Sequence, residues 1–473
     1  MVPEHTTTRE TEKLDMHATI AVNRFGLGAR PGELASVSGR HERWLLDQLD
    51  AVALPKSLSK IAPSSEVLVD VARLRRRKRE MRLAGEKVDQ KDLGKLISGH
   101  YRELVLARAQ TATTTDTPFA ERLVRFWANH FAISADKREV RAIAGAIENE
   151  AVRPHLAGSF SDMLLAVEQH PAMLLYLDNI RSIGPTSQRG LRAKKRRPER
   201  RIGLNENLAR EILELHTLGV RGGYDQSDVT SFARVITGWT VGRDTDANTK
   251  NGSAGRFRFD KALHEPGAQR VLGKRYAQDG VDQGEAVLRD LAVHPSTAQH
   301  LATKLARHFV ADEPPQPLVA RLARVFLDTG GDLPSLHAAL VRAPEAWTTP
   351  HAKYKTPDDY LISTMRAFDF TPDRVGPILM TLRVLGQPPL TPGSPAGWPD
   401  TAEQWRGGDA LFKRIEWAND VARRLPGRTN PQSVADAALG PLLRDETRSA
   451  MQRAQSTAQS LTLFLASPEF QRR

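Results

Sequence analysis

The sequence predicts a mainly α-helical fold: a multi-helical globular domain with a small β insertion near residues 255–275. Three observations predict it. Apolar residues recur at three- and four-residue spacing through most of the chain, the period of an amphipathic helix. Strand-like alternation is confined to one stretch, where Phe257-Arg258-Phe259 alternates, residues 264–267 turn and residues 270–273 extend. Hydrophobic residues make up 40% of the 473, which suffices for a sizeable core, and no repeat of fixed period suggests a solenoid.

The expected organisation is a disordered N-terminus over 1–16 and a single large helical domain over 17–473. Residues 17–25 are short and amphipathic; a break follows at 26–31, where Pro31 suits the first turn of the next helix, over 34–51. Residues 67–95 predict a long charged helix with a break near Gly85, and the charged excursion runs over 73–97. Helical stretches follow at 101–112, 119–130, 142–156 and 160–176. Residues 184–203 read as a mobile basic linker rich in Pro and Gly. After the β insertion, helices are expected at 280–292, 297–310, 317–329, 333–342, 358–368, 374–385 and 410–424, and again over 430–470. Residues 387–406 are proline-rich and irregular.

Composition removes several classes of function. No segment approaches the ~18–20 apolar residues of a membrane span. The first residues lack the apolar core of a secretory signal, and Met16 is an alternative start, so the expectation is a cytoplasmic protein, or one exported with a partner. The absence of cysteine excludes disulfides, thiolate nucleophiles and Cys-ligated metals. The net charge of +12 is concentrated in the run from Arg73 to Arg79 and the run from Arg192 to Arg201. Such runs hold polyanions when a fold presents them, or are solvated faces. Aromatic residues are not interleaved with them, which argues against single-stranded nucleic acid.

The densest chemistry lies at residues 204–239. Asn205 can cap the first helix. Leu208, Ile212 and Leu215, widened by Ala209 and Leu213, form its apolar stripe. Asn207, Glu211 and Glu214 share the opposite face, with Arg210 beside them, while His216 falls inside the apolar arc. Gly219 ends the helix. One reading places Glu211 and Glu214 in a cleft, one protonated as a general acid beside an ionised neighbour held by Arg210. The other is a solvated face with an ordinary Arg210–Glu214 pair. His216 reads as a hydrogen-bonded core or helix-end histidine. After the turn Gly222-Gly223-Tyr224, Asp225 and Asp228 open a second helix as a capping box, which ends at Gly238 before Trp239. An EF-hand is rejected there, because the oxygen ligands do not alternate and the bidentate Glu is missing.

Elsewhere, Asn129 and His130 sit among aromatics in Phe126-Trp127-Ala128-Asn129-His130-Phe131, as a base, ligand or buried donor. His300, Lys304 and His308 share one helix face, which either binds anions or is solvated. Trp398 and Trp405 can stack on a sugar or anchor a loop. HExxH, the Glu-x-x-His pairs of di-metal bundles, a P-loop and a dinucleotide fingerprint are absent, and Ser57-Leu58-Ser59-Lys60 lacks the companion lactamase motifs. No metal set is expected, and the sequence specifies no cofactor.

Taken in order, Asn23-Arg24-Phe25-Gly26, the aromatic stretch at 126–131, Tyr176-Leu177-Asp178-Asn179, residues 204–223, Thr237-Gly238-Trp239, residues 264–273 and Gly397-Trp398-Pro399 resemble the bacterial domain-of-unknown-function 1800 family, from about His17 onward. Family members look like His-Asp-x-Gly-x-Lys in the β segment. Here the stretch is His264-Glu265-Pro266-Gly267-Ala268-Gln269, so the charge pair is not reproduced. The resemblance implies a mainly helical fold and a sulfatase-like protein encoded nearby, in exported or polysaccharide-related settings, but no reaction.

The residues therefore yield three expectations. The first is a hydrolase or lyase on a glycan or other anionic polymer, with Glu211, Glu214 and His130 catalytic and Asn129, Asn207, Arg210, His216, Trp239 and His264 binding. The second is a non-enzymatic, chaperone-like partner of the sulfatase-like protein. The third is polyanion binding through the basic runs. Residues 204–239 should form a helix–turn–helix hairpin in the interior, its polar face toward Asn129 and His130, with His216 buried and hydrogen-bonded, because three aliphatic side chains at ~1.5–3 kcal/mol each orient it.

Overall fold

The structure, a computed structural model, describes residues 15–50, 52–87, 89, 91–196, 203–243, 253–348, 350–425 and 429–473. It is 59% helical and 4% strand, the mainly α class that the apolar periodicity predicts. Of the N-terminus expected to be disordered, residues 1–14 lie outside the described residues. Asp15 and Met16 lie inside, and the Asp15 side chain caps α1 (Met16–Ile20). A π-type turn, Ala21–Phe25, continues that helix.

Local chemistry sets most of the remaining boundaries. The stretch 34–51 is two short helices, α2 (Glu33–Val37) and α3 (His41–Leu46), because Ser38-Gly39 interrupts it. The charged stretch also splits: α4 (Ser64–Leu83) stops at Ala84-Gly85 and α5 (Lys91–Thr114) starts afresh. α6 (Pro118–His130) begins on a proline, whose fixed φ and missing N–H suit a first turn. The expected helix over 142–156 is instead a series of turns, a π-type turn at Glu148–Val152 and a 3₁₀ turn at Arg153–His155. Ser159 caps α7 (Phe160–Glu168) and His170 caps α8 (Pro171–Tyr176).

The basic linker contains a helix, α9 (Gln188–Arg196), and its entrance is held in place. Thr186 donates from its backbone N–H and its hydroxyl to the Glu265 carboxylate at 2.8 Å. Residues 197–202 of that stretch lie outside the described residues. α10 (Asn207–Glu211) passes into a π-type turn, Ile212–His216, and α11 (Gln226–Val235) follows with the capping box of Asp225 and Asp228. The β insertion is two antiparallel hairpins. β1 (Trp239–Val241) pairs β2 (Phe257–Phe259) with Thr240 opposite Arg258, and β3 (Gln269–Val271) pairs β4 (Lys274–Tyr276).

Helices α12 (Val281–Ala292), α13 (Pro295–Phe309), α14 (Gln316–Asp328) and α15 (Leu333–Val341) follow. Then come α16 (Pro357–Ala367) and α17 (Val375–Val384). The proline-rich stretch holds only a 3₁₀ turn, Ala402–Gln404. It leads to α18 (Gly408–Arg424), α19 (Pro431–Leu439), α20 (Asp445–Gln452) and α21 (Thr457–Ala466).

α6 runs through the main apolar core. Its Phe119 packs edge-on against Phe25 at 5.6 Å and Phe309 at 5.8 Å, and the following Phe131 stacks on Phe160 at 6.2 Å. Buried beside these rings is an ionic cluster. Asp359 accepts from Arg122 at 3.0 Å and pairs with Arg473 at 3.1 Å. Asp400 pairs with His308 at 2.8 Å, and Lys353 reaches Asp312 and the Asp400 carbonyl. Charges this far from water persist only when paired.

Candidate functional site

The π-type turn Ile212–His216 separates the two faces of the helix it ends. Leu208, Ala209, Ile212 and Leu213 are buried, while Glu211 and Glu214 stay partly exposed. Asn205 caps the helix through its side chain, accepting from the Asn207 N–H at 2.9 Å; Asn207 itself is exposed. Thr217 donates its hydroxyl to the Ile212 carbonyl at 2.6 Å, and Gly219 closes the segment at φ 84°. A side chain there would meet the His300 ring, whose Nδ1 lies 2.9 Å from the position of a Cβ. π-type turns are rare and recur at functional sites, which draws attention to this one.

Burial pushes the Glu211 carboxyl above the usual carboxylate range, and the Glu214 charge adds to the effect against the opposing His216 and Arg210. The Tyr224 phenol is raised by burial and then by the Glu214 charge. The Tyr176 phenol is raised by burial and then by the Glu211 charge. Two carboxyls and two phenols therefore share this face. Arg210 does not pair with Glu214. It turns back to Glu206 at 3.3 Å and Gln226 at 2.8 Å, and Thr230 also donates to Glu206. The reason is local: Glu206 precedes Arg210 by one turn and collects donors from the start of α11.

On the inner face, His216 has no solvent exposure, and its Nδ1 lies 2.7 Å from Glu168, also fully buried. The imidazole expected to be buried and hydrogen-bonded is so placed through Nδ1, while Nε2 is buried without a partner among the described residues. Sequence reading missed its partner, although the signal was present: Glu168 stands one turn beyond Leu164, on the apolar side of α7. His130 is buried too and donates from Nε2 to the His216 carbonyl at 3.1 Å. Burial, then Lys304, His300 and His216, hold its pKa well below the ordinary histidine value. The row His300, Lys304, His308 is neither a solvated face nor an open anion site. His300 donates to the Leu215 carbonyl at 3.1 Å, Lys304 is pushed down to about 8 by burial, and His308 pairs with Asp400.

The other candidates lie apart from the carboxyls in their bonding. Asn129 spends its amide on the backbone of Trp398, donating to the carbonyl at 2.9 Å and accepting from the N–H at 2.7 Å. Gly397 lets the chain approach this closely, since a Cβ there would sit 2.4 Å from the Asn129 carbonyl oxygen. Asn129→Ala is expected to cost about 1–3 kcal/mol, because two part-buried backbone groups lose their partner. Hydrogen exchange at the Trp398 amide should accelerate, and unchanged protection there would show that the clamp is not needed. Trp239 is fully buried, edge-on to Phe257 at 5.5 Å. His264 lies with its Nδ1 3.0 Å from the Thr237 carbonyl. Glu265, which stands where the family resemblance leads one to expect Asp, holds Thr186 rather than a lysine.

The fold class is mainly α with a small β insertion, and the site on it is a π-turned helix with buried histidines inside and carboxyls outside. The chain belongs to the family described as protein of unknown function (DUF1800), whose model matches residues 20–472. No curated protein and no solved structure matches it. No described helix is long and apolar enough to cross a membrane. Among the described residues, no group of three or more His, Cys, Asp and Glu side chains is placed to hold a metal ion.

Proposed function

We propose that the protein is a hydrolase acting on a glycan, with Glu211 as general acid and Glu214 as its carboxylate partner. The observation that carries this is a pair of partly exposed carboxyls, Glu211 and Glu214, on the outer face of the π-type turn, with burial raising the Glu211 carboxyl. A pair of carboxyls whose surroundings differ is what acid–base cleavage of a glycosidic bond requires. Tyr176 and Tyr224 border the pair and offer hydroxyls and ring faces to a sugar. Carboxylates dominate this face, so a neutral glycan suits it better than an anionic polymer. His130 and His216 act as positioning residues: they hold the turn from inside, away from any substrate.

The test is a screen of neutral glycans for released reducing ends, with and without a sulfatase-like partner. Glu211→Gln is expected to lower turnover by roughly 10²–10⁴-fold, the usual contribution of a general acid. Because the Glu211 pKa is raised, the acid stays protonated to higher pH than an ordinary carboxyl, so the basic limb of the rate profile should move down in Glu211→Asp if exposure increases. Turnover of any substrate that survives Glu211→Gln and Glu214→Gln unchanged sinks the assignment.

A second reading, polyanion binding, is favoured by α9. Arg192, Lys194, Lys195 and Arg196 are exposed on it, and among the described residues no acid pairs with them. Affinity for an acidic polymer should fall steeply with salt and be lost when these four are neutralised. Salt-insensitive binding would remove this reading.

A further inference from the structure

Beneath the proline-rich segment, apart from the carboxyl face, lies a half-enclosed cavity of about 70 Å³. That is several times the ~10–15 Å³ needed to admit one water. Its floor is ionic. Arg108 donates from Nε to both Glu148 oxygens at 3.0 Å and from Nη1 to Asp358 Oδ2 at 3.4 Å. Arg125 reaches the same Oδ2. Its roof is the irregular segment, pinned by Tyr101 donating to the Pro389 carbonyl at 2.7 Å, by Ala135 donating to the Leu390 carbonyl at 2.7 Å, and by the Asn129 clamp on Trp398. Prolines, Leu382, Leu390 and Trp398 supply an apolar wall.

Hydrogen bonds among the described residues engage Arg108 Nε and Nη1, Asp358 Oδ2 and Gln387 Oε1, which leaves Asp358 Oδ1, Arg108 Nη2 and Gln387 Nε2 for a ligand. The side chains of Arg108 and Asp358 keep 18% and 19% exposure, although both lie in the floor. One acceptor and two donors match the mixed donor–acceptor character of neighbouring hydroxyl groups. A tryptophan and prolines match the apolar face of a ring. The charges are already neutralised pairwise, so a zwitterion or an ion would have to break existing pairs to bind, and a neutral ligand would not.

We propose that this cavity binds a neutral polyhydroxylated ring, one sugar residue or a cyclitol, with its hydroxyls on Asp358, Arg108 and Gln387 and its apolar face on Trp398. The proposal is independent of the carboxyl reading, because it uses none of the same residues.

The test is binding of glucose, galactose, mannose, N-acetylglucosamine and myo-inositol to the full chain, followed by saturation-transfer NMR and calorimetry, with glycine and leucine as zwitterionic probes. At least one neutral ligand should bind saturably, with a Kd of about 1 mM or tighter. Ala128→Leu, which takes up space in the cavity and keeps every residue of the ion pairs, should weaken it at least tenfold (~1.4 kcal/mol). Trp398→Phe should weaken it less. Circular dichroism and melting of Ala128→Leu establish that the variant folds. The proposal is overturned by no saturable binding in the wild type, by binding that Ala128→Leu does not weaken, or by tighter binding of a zwitterion.

Discussion

Replacing Asp359 with asparagine is expected to destabilise the protein by about 3–5 kcal/mol, the usual cost of removing one partner from a buried ion pair. Asp359 is shared. Arg122 and Arg473 both lie on it, at 3.0 Å and 3.1 Å, and both are almost wholly buried. Their positive charges hold its carboxyl far below the usual range, against the opposing effect of burial. Lys355 lies in the same field and is already pushed down to about 7 by burial. Removing the carboxylate leaves three cations facing one another without water. Lys355 can shed its proton; the guanidiniums cannot. Chemical denaturation of Asp359→Asn should show a lower midpoint at unchanged slope. A loss below about 1 kcal/mol would mean that solvent or Asp400 compensates, and that the cluster is not a keystone of the fold.

The second large effect is loss of stability in mild acid. His300 titrates at about 4 in the folded protein, chiefly because it is buried and secondarily because Lys304 is near, against 6.5 when free. His130 is also held well below its free value, and His337 is lowered to about 3 by burial. A histidine lowered on folding binds its proton in the unfolded chain first. The unfolded state therefore gains stability as pH falls from about 6.5 toward 4, and the folded state loses ground through that window. His300 alone accounts for about 3 kcal/mol at the acid end. Asp400, lowered to about 2 despite burial, mainly by His308, adds a further loss only as pH drops below 3.8. Melting temperature should thus fall between neutral pH and about pH 5, before the carboxylates titrate. His300→Gln keeps a donor for the Leu215 carbonyl and cannot titrate, so its curve should be flatter. Equal melting temperatures across that range would contradict the burial of these rings.

How far the sequence reaches can be judged at particular residues. The stripe Leu208, Ile212 and Leu215, widened by Ala209 and Leu213, was legible because it follows the helical period; all but the half-buried Leu215 are buried, which sets the side on which Glu211 and Glu214 emerge. The capping box of Asp225 and Asp228 was legible because it needs only residues three apart. The inward turn of His216 was legible from its angle on the helix. Its partner Glu168 was not, because a contact across 48 positions leaves no local pattern. The same holds for Asn129. Its aromatic neighbours pointed to a special position, but nothing local links it to Trp398, 269 residues away.

Local chemistry thus determined the helical class, most helix starts and the faces of the helix that carries Glu211. These depend on interactions within one or two turns, which a sequence states directly. Where local signals compete, as at residues 142–156, packing against distant segments decided the outcome. Tertiary structure alone assigned the ionic partners. His300 and His308 were drawn inward, and Arg108, Glu148 and Asp358 met around a cavity. A charge has one strong requirement, a partner out of water, and which partner it finds depends on where the chain brings its folded segments together.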